Sequence, residues 1–364
     1  MKKILFFINY LGSGGAQRQI VELAIGFKKR EYDVSFLIYQ KKYGDFYYQY
    51  LIEQGIAIDG VYESNYFKRI WKVRKYLRTH RFDILISFLE VASFMSEIAT
   101  LPSKKWKLIV GERSADPAKF TSLKLRFFLQ CHYLADYVVA NSHANIEIVR
   151  KIAPRLSLNK CKVIYNSLDA RKLEPDVSYK YLSRGFVNLV IASSHRFLKN
   201  LDGLIEAVNL LKPSEQNLLH ITWYGSNNFD NSLNEGLKKI EVYKLNNLFT
   251  FHPATLDIYN HMREADAIGL FSHFEGLPNA ICEALLLAKP VIVSKVSDLP
   301  LFIKEDVNGF LCDSKSSISI SNALSKLINC PIQKLELMGK ENRKLAKELF
   351  DTNKVLDEYE ALFD

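Results

Sequence analysis

Short runs of apolar and β-branched residues alternate along the chain with longer segments whose apolar residues recur at helical spacing. This alternation predicts parallel sheets whose faces are covered by helices. The predicted strands of the first half are 3–9, 33–39, 84–88, 107–110, 137–140 and 162–165. Those of the second half are 187–192, 220–224, 248–251, 267–271 and 290–293, and the clearest predicted helices are 16–29, 201–211 and 280–287.

A polar segment that contains a proline, 167–184, separates the two series of strands and predicts a linker. The predicted fold class is therefore α/β, with two Rossmann-like doubly wound domains facing each other across a cleft. We expect the first domain at 1–170 and the second at 171–350. The last segment, 351–364, is expected to be a helix that could cross back to the first domain. Ligands of such sheets bind at the carboxyl ends of the strands.

Composition favours a globular protein, since 48% of the 364 residues are hydrophobic and 24% are charged. The five cysteines are odd in number and lack C-x-x-C spacing, which favours free thiols in a reducing cytoplasm over disulfides or a zinc site. The apolar segment 82–101 contains three acidic residues, so no transmembrane helix is predicted. Residues 1–175 carry 29 Lys and Arg against 16 Asp and Glu, which suggests a polyanionic surface or ligand.

A turn followed by a helix is predicted directly after the strand 267–271. Gly276 and Pro278 favour this turn, because proline is tolerated in the first turn of a helix. The first backbone amides of the helix lack intrahelical partners and lie at the positive end of its dipole, which suits a diphosphate. The donor-binding residues predicted on this segment are Gly276, Leu277, Pro278, Asn279, Ala280 and Ile281.

Two glutamates flank this predicted helix start. Glu275 precedes the turn, and Glu283 lies one to two turns into the helix. Carboxylates in these positions could accept hydrogen bonds from sugar and ribose hydroxyls on either side of the phosphates. The alternative is an ordinary helix start with one exposed and one paired carboxylate.

Two cations lie three residues apart just after the predicted strand 187–192. Arg196 and Lys199 could neutralise a pyrophosphate and the charge that develops as it departs. The alternative is a solvated basic turn.

The string EGLPNAICEA resembles the E-G-x-P-N-x-x-x-E-A signature of family 4 glycosyltransferases, which are retaining enzymes of the GT-B fold. The resemblance implies that Glu275 contacts the donor sugar and that Glu283 binds the nucleotide ribose. It also implies that Arg196 and Lys199 clamp the diphosphate, as in the R-x-x-K-N element of the family. The family often has a Gly-Gly pair near 297–298, where this chain reads Ser297 and Asp298, so the loop there is expected to differ.

The loop 11–18 is similar to the G-G-A-E-R loop that opens the first domain of this family. Gly14 and Gly15 would then border the donor, since glycine allows positive φ and close backbone approach. A structural tight turn is the alternative.

Three further residues have two open interpretations each. His252 follows a predicted strand where the nucleobase docks in the family, or it is an ordinary surface histidine. Glu112 and Arg113 lie in a string that resembles S-E-R-N-D-P of polysaccharide-building members. They could line the acceptor site, or they could pair with each other.

The stretch 66–81 contains many cations and no acid, and its apolar residues fall near helical spacing. A basic aromatic amphipathic helix of this kind is typical of membrane-surface binding. A smaller patch of the same character is predicted at 119–129. The alternative is a helix that buries its apolar stripe in its own domain.

The resemblance implies transfer of a hexose, most simply from a UDP-sugar, to a hydroxyl of a lipid-linked saccharide in surface polysaccharide biosynthesis. The expected location is the cytoplasm, peripherally at the anionic inner face of the plasma membrane. No cofactor, metal or nucleic-acid partner is expected, because the chain has neither a D-x-D triplet nor a nucleic-acid-binding module. The rival hypotheses are a nucleotide-sugar epimerase, an inverting transferase, and a non-catalytic membrane- or polyanion-binding protein.

Overall fold

A computed structural model describes residues 1–12, 14–40, 46–227 and 230–364. The chain divides into two compact units. Unit 1 comprises Met1–Leu168 and Thr352–Asp364, and unit 2 comprises Asp169–Asp351. The segment predicted as a linker therefore belongs to unit 2 from Asp169 onwards.

The sheet of unit 1 is parallel throughout, in the order β3-β2-β1-β4-β5-β6-β7 among the described residues. Its strands are β1 (Lys3–Ile8), β2 (Asp33–Ile38), β3 (Ala57–Gly60), β4 (Ile84–Phe88), β5 (Lys107–Glu112), β6 (Tyr137–Ala140) and β7 (Cys161–Val163). The central strands are almost continuously buried, because helices cover both faces of the sheet. Among these strands of unit 1, the sequence did not predict β3, because this edge strand is mostly exposed and has few apolar residues.

The helices of unit 1 cover this sheet. They are α1 (Gly15–Lys29), α2 (Tyr48–Glu53), α3 (Tyr66–Thr79), α4 (Glu90–Ala99), α5 (Ala118–Thr121), α6 (Leu123–Gln130), α7 (His143–Ile152) and, from the chain end, α16 (Thr352–Glu360). The chain end packs on α1, where a Cβ added to Gly26 would lie 2.8 Å from Leu356 Cδ1. Arg30 of α1 also pairs with Asp357 and Glu360 at 2.7 and 2.8 Å. The last residues thus complete the core of unit 1.

Unit 2 contains a second parallel sheet, in the order β10-β9-β8-β11-β12-β13. Its strands are β8 (Val187–Ala192), β9 (Leu219–Tyr224), β10 (Phe249–His252), β11 (Ala267–Leu270), β12 (Val291–Ser294) and β13 (Gly309–Cys312). Strand β13 was not predicted, because it is short and begins at a glycine. A Cβ on that Gly309 would lie 2.6 Å from the carbonyl oxygen of Val291 on the neighbouring strand.

The helices of unit 2 lie between and after these strands. They are α8 (Leu201–Asn209), α9 (Pro213–Gln216), α10 (Ser232–Val242), α11 (Ile258–Arg263), α12 (Asn279–Leu286), α13 (Leu299–Phe302), α14 (Ser317–Ile328) and α15 (Ile332–Phe350). The sequence placed α8 and α12 within one or two residues of these ends. Among the described helices, none combines the length and the apolar character that crossing a bilayer requires.

Each sheet reverses its strand order beside its first strand. In unit 1 the reversal lies between β1 and β4, and in unit 2 it lies between β8 and β11. Ligands of doubly wound sheets bind outside the carboxyl ends of the strands at such switch points. A site is therefore expected on general grounds at the loops that follow β1 and β4 in unit 1 and at those that follow β8 and β11 in unit 2. The two Rossmann-like units establish the predicted α/β fold class.

Candidate active site

The loop after β8 is fixed at the switch point of unit 2 by Asn200. This buried residue adopts the left-handed conformation, with φ 63° and ψ 44°, which asparagine tolerates better than most residues. Its side-chain amide donates to the carbonyl oxygens of Phe271 and Ser314 at 3.2 and 2.8 Å, and its Oδ1 accepts from the amide of Gly203. Asn200 thereby ties the loop to the end of β11. The sequence motif contained Asn200, but sequence reasoning gave it no role.

Lys199 and Glu275 form an ion pair at this switch point. The Lys199 ammonium lies 2.5 Å from Glu275 Oε1, and both side chains are mostly buried. The hydroxyl of Ser272 donates to the same carboxylate oxygen at 2.7 Å. In the described part of the chain, no hydrogen bond reaches Glu275 Oε2. The structure therefore brings together two residues that are 76 positions apart in sequence.

Arg196 is the second predicted cation of this loop. It is exposed at the start of the same loop, where the next residue, Phe197, donates its amide to Asp230 at 2.8 Å. Of the two predicted cations, Lys199 forms the ion pair with Glu275. A long exposed arginine can reach a ligand from the solvent side.

The turn after Glu275 leads into α12 as the sequence predicted. Gly276, Leu277 and Pro278 are buried, and Pro278 occupies the N-cap position with no side-chain cap. Asn279 and Ala280 are half-buried, whereas the remainder of the helix is buried. The positive end of the helix dipole therefore lies at the only accessible part of α12.

The sequence predicts unpaired backbone amides at Asn279, Ala280 and Ile281, and one of these three is already used. The amide of Ile281 donates to the carbonyl oxygen of Pro278 at 3.2 Å, and so does that of Cys282. The prediction that Ile281 offers an unpaired amide was wrong, because the first turn of α12 is tight enough to engage it. The helix start is accessible at Asn279 and Ala280, which remain predicted to lie against a diphosphate.

Glu283 is buried in the second turn of α12, with 3% of its surface exposed. Burial raises the pKa of the neighbouring Cys282 thiol, and the Glu283 charge raises it further. A carboxylate in such a place is uncommon without a binding or structural purpose. The structure places Glu275 before the helix start and Glu283 within the helix, as predicted from the spacing.

The loop after β12 differs from the family pattern in a defined way. Ser297 has φ 52°, a backbone conformation that glycine adopts easily and serine rarely does. Its hydroxyl donates to the carbonyl oxygen of Gly276. The serine thus keeps the conformation suited to glycine and ties this loop to the Glu275 turn.

His252 is exposed at the end of β10, where its ring stacks on Tyr224. The ring centroids are 4.9 Å apart, and Tyr224 also stacks on His261 at 4.4 Å. The three rings form an aromatic surface beside the carboxyl ends of β9 and β10. The sequence analysis did not identify Tyr224 or His261. An aromatic residue at the end of a predicted strand, as Tyr224 is, could have indicated a ligand-stacking position.

His195, beside Arg196, is also a residue that the sequence did not single out. It is buried between the rings of Trp223 and Phe251, at 5.3 and 5.5 Å. Burial lowers its pKa, so the ring is neutral at neutral pH. Among the described residues its Nδ1 has no hydrogen-bond partner. His195 therefore supports the loop by packing.

Gly14, in the glycine loop 11–18 of unit 1, does not have the positive φ that glycine allows. Gly14 caps α1 in an extended conformation with φ −71° and ψ 158°, which any residue can adopt. Its carbonyl oxygen accepts from the amide of Arg18 at 2.9 Å, while Gly15 is the exposed first residue of the helix. Ser13 of this loop lies outside the described residues. A donor contact by Gly14 and Gly15 stays a prediction.

Glu112 and Arg113 do not pair with each other. Arg113 donates to the hydroxyl of Tyr359 at 2.5 Å and lies over the ring of Phe88 at 4.0 Å. Glu112 is buried and accepts from Lys119 and His132. The side chains of successive residues on a strand point to opposite faces of the sheet, which explains why the pairing alternative was wrong.

Glu112 belongs to a set of ionisable residues that we call the buried charge cluster. Burial would raise the pKa of Glu112, but Lys119 and His132 outweigh this effect and hold it at about 2. Burial would lower the pKa of His132, but Glu97 and Glu112 raise it to about 10. Glu112 is therefore ionised and His132 protonated at neutral pH. The members of the cluster are Glu90, Glu97, Glu112, Lys119 and His132.

An exposed patch of aromatic and basic residues covers another part of unit 1. Phe67 and Trp71 of α3 are 80% and 62% exposed, while Val73 and Leu77 anchor the helix. The ammonium of Lys124 on α6 lies 5.1 Å from the ring centre of Tyr66, which joins the two helices. We call this surface the aromatic-basic patch, and its members are Tyr66, Phe67, Lys68, Trp71, Lys72, Lys75, Phe120, Leu123, Lys124 and Phe127.

No group of three or more His, Cys, Asp or Glu side chains in the described ranges is arranged to hold a metal ion.

Two family models match the sequence in succession. Residues 13–172 match "Glycosyltransferase Family 4", and residues 187–345 match "Glycosyl transferases group 1". A glycosyltransferase of Haemophilus influenzae is 24% identical over the full length of both chains.

Two further proteins resemble the chain over nearly its whole length. One is an N-acetylgalactosaminyltransferase of Campylobacter jejuni whose name specifies a saccharide on diphospho-undecaprenol; it is 23% identical over 98% of this chain and 97% of its own. The other is HepE of Anabaena, whose crystal structure in complex with UDP-glucose superposes with a TM-score of 0.85 at 21% identity, over 100% of this chain and 99% of that one. These matches, the two parallel sheets and the glutamate-flanked helix start show that the chain belongs to the family 4 glycosyltransferases and has the GT-B fold.

Proposed function

We propose that the chain transfers a hexose from a UDP-sugar to a hydroxyl of a lipid-linked saccharide, with retention of anomeric configuration, in surface polysaccharide biosynthesis. The observation that carries the donor half of this proposal is the Lys199–Glu275 pair beside the accessible start of α12. UDP-glucose in the complex of the Anabaena protein supports a UDP-sugar donor. The diphospho-undecaprenol in the name of the Campylobacter relative supports the acceptor class. Retention rests on the family signature.

The charges at the switch point of unit 2 suit a leaving diphosphate. Lys199 is held within the site, Arg196 can approach from solvent, and the dipole of α12 adds partial positive charge. These groups stabilise the negative charge that grows on the diphosphate as the bond from the sugar carbon C1 to the phosphate oxygen breaks. The acceptor oxygen forms the new bond to C1, and its proton leaves with the diphosphate.

The two glutamates recognise the neutral parts of the donor. Lys199 and Ser272 bond to Glu275 Oε1, so Oε2 can accept a hydrogen bond from a sugar hydroxyl. Glu283 is proposed to bind the ribose hydroxyls from the second turn of α12. The rings of His252 and Tyr224 offer a surface on which the nucleobase can stack.

The experiment that tests this function is a panel of UDP-glucose, UDP-galactose and their N-acetylamino counterparts, with polyprenyl-diphosphate-linked N-acetylglucosamine and N-acetylgalactosamine as acceptors. We expect thermal stabilisation by UDP and by one donor, and sugar transfer only when an acceptor is present. Release of an epimerised sugar without acceptor would favour the epimerase hypothesis. Salt-sensitive binding to heparin or nucleic acid without any turnover would favour the polyanion-binding hypothesis.

We further propose that the aromatic-basic patch binds an anionic membrane surface. Its exposed aromatic rings can enter the headgroup region while the lysines attract acidic lipids. Arg74 is excluded from the test because its guanidinium donates to the carbonyl oxygen of Leu101 at 2.5 Å.

Replacement of Lys68, Lys72 and Lys75 by glutamate should release the protein from vesicles of phosphatidylglycerol and phosphatidylethanolamine. The loss is expected to reach about 100-fold in partition coefficient, because each basic residue contributes about 1 kcal/mol near such a surface. The measurement is flotation of vesicles through a density gradient. The matched control replaces the exposed Arg150, Lys151 and Arg155 with glutamate, which changes the net charge equally. Equal binding of both variants would overturn the membrane proposal.

A further inference from the structure

The buried charge cluster has a single partly exposed member, Glu90. Glu97, Glu112, Lys119 and His132 are each no more than 1% exposed, whereas the side chain of Glu90 is 23% exposed. Glu90 is the first residue of α4 and directly follows the end of β4. It therefore lies at the switch point of the unit 1 sheet, where ligands of doubly wound folds bind.

Direct contacts connect Glu90 to the core of the unit. The Lys119 ammonium lies 3.2 Å from Glu90 Oε1, 2.5 Å from Glu112 Oε2 and 2.7 Å from the carbonyl oxygen of Ser114. His132 then joins Glu112 to Glu97, at 3.2 and 2.6 Å. A continuous row of alternating charges thus runs from the core to the one carboxylate that reaches solvent.

Stability alone does not account for such a cluster. Buried ion pairs contribute little net stability, because the cost of removing each charge from water offsets their attraction. Hydrophobic residues of similar volume in these positions are often equally stable or more so. The buried charge cluster can hold one carboxylate in a defined place, which apolar side chains could not do.

The backbone before Glu90 is strained as well. Leu89 has φ 74° and ψ 148°, close to a region that is essentially restricted to glycine. The side chain of a leucine makes this conformation costly, so the surrounding structure must impose it. The strained residue sets the direction in which the chain enters α4 and therefore where Glu90 lies.

The charge of the cluster selects the kind of ligand. Lys119 and His132 already bond the buried carboxylates of Glu112 and Glu97, so the group of the cluster that can meet a ligand is the carboxylate of Glu90. A carboxylate accepts hydrogen bonds from hydroxyls, whereas it repels the like charge of a phosphate group. A neutral saccharide therefore fits Glu90 better than the diphosphate of a donor or of a lipid carrier.

We propose that Glu90 binds a hydroxyl of the acceptor saccharide, with Lys119, Glu112, His132 and Glu97 as positioning residues. This inference rests on the proposed transfer to a saccharide acceptor. Glu90 is the residue that touches the substrate, and Lys119 holds its carboxylate in place. The other three hold Lys119.

The test compares Glu90→Gln with Glu147→Gln, a matched change of an exposed glutamate on α7 of the same unit. The assay uses the donor and the polyprenyl-diphosphate saccharide of the panel that the wild-type chain converts fastest. We expect Glu90→Gln to raise the KM for the acceptor by about 10-fold or more, as loss of a hydrogen bond to a charged group predicts, while the Kd for UDP stays unchanged. Glu90→Asp, which restores the charge, should recover part of the loss.

Thermal denaturation of each variant shows whether it is folded, and Glu90→Asp serves as the second variant if Glu90→Gln unfolds. An acceptor KM that is unchanged in folded Glu90→Gln would overturn the role of Glu90 while leaving the proposed function intact. A wild-type chain that transfers no sugar to any saccharide of the panel would overturn both.

Discussion

Replacement of Lys199 by methionine should lower kcat by about 10²- to 10³-fold, the effect of removing one preorganised charged donor from a developing anion. Methionine keeps most of the volume of the lysine stem, so the loop held by Asn200 is expected to stay in place. The lost group is the ammonium that lies 2.5 Å from Glu275 and is positioned to meet the diphosphate. The measurement is steady-state transfer with the best donor and acceptor of the panel.

The control for this variant is Lys238→Met, since Lys238 is exposed on α10 of the same unit. The control should retain the wild-type kcat and melting temperature. If Lys199→Met unfolded at a much lower temperature than the control, Lys199→Arg would serve instead. Arginine keeps the charge but not the geometry of an ammonium, so only part of the activity should return. Wild-type kcat in folded Lys199→Met would contradict the role proposed for Lys199.

Replacement of Glu283 by alanine should weaken donor binding by about 10- to 100-fold. Hydrogen bonds from ribose hydroxyls to a charged carboxylate contribute about 1.5–3 kcal/mol, which corresponds to such a change in Kd. Alanine is a strong helix former, so α12 should persist. Calorimetric titration with UDP measures the effect without any requirement for an acceptor.

The control for Glu283 is Glu235→Ala, an exposed glutamate in the first turn of α10. Its Kd for UDP should equal that of the wild-type chain, and Glu283→Gln should lie between the two because an amide can still bond to one hydroxyl. A Kd for UDP that is the same in Glu283→Ala and Glu235→Ala would remove Glu283 from the donor site.

Much of unit 2 could be predicted from the sequence because its signals are local. A buried strand, a glycine and a proline in succession placed the start of α12 within one residue of where it lies, at Asn279. The Lys199–Glu275 pair was not predicted, because a contact across 76 positions depends on strand order, which periodicity does not disclose. The engagement of the Ile281 amide depends on the tightness of one turn, which the residue types do not specify.

In unit 1 the charged residues gave the weakest sequence signal. Glu97 and Lys119 each sit among polar and apolar neighbours that are equally compatible with a surface position. Their burial becomes evident only when β5, α4 and α5 bring them together with His132. The same limit applies to Gly14, whose extended backbone could not be distinguished from the left-handed one by its residue type.

A crystal structure of the chain soaked with UDP measures most directly whether the glutamate-flanked helix start is the donor site. Density for the diphosphate is expected within hydrogen-bond distance of the Lys199 ammonium and beside the start of α12, with the ribose hydroxyls at Glu283. Density for UDP at another part of unit 2, with the Lys199–Glu275 pair and α12 untouched, would contradict the proposed donor site.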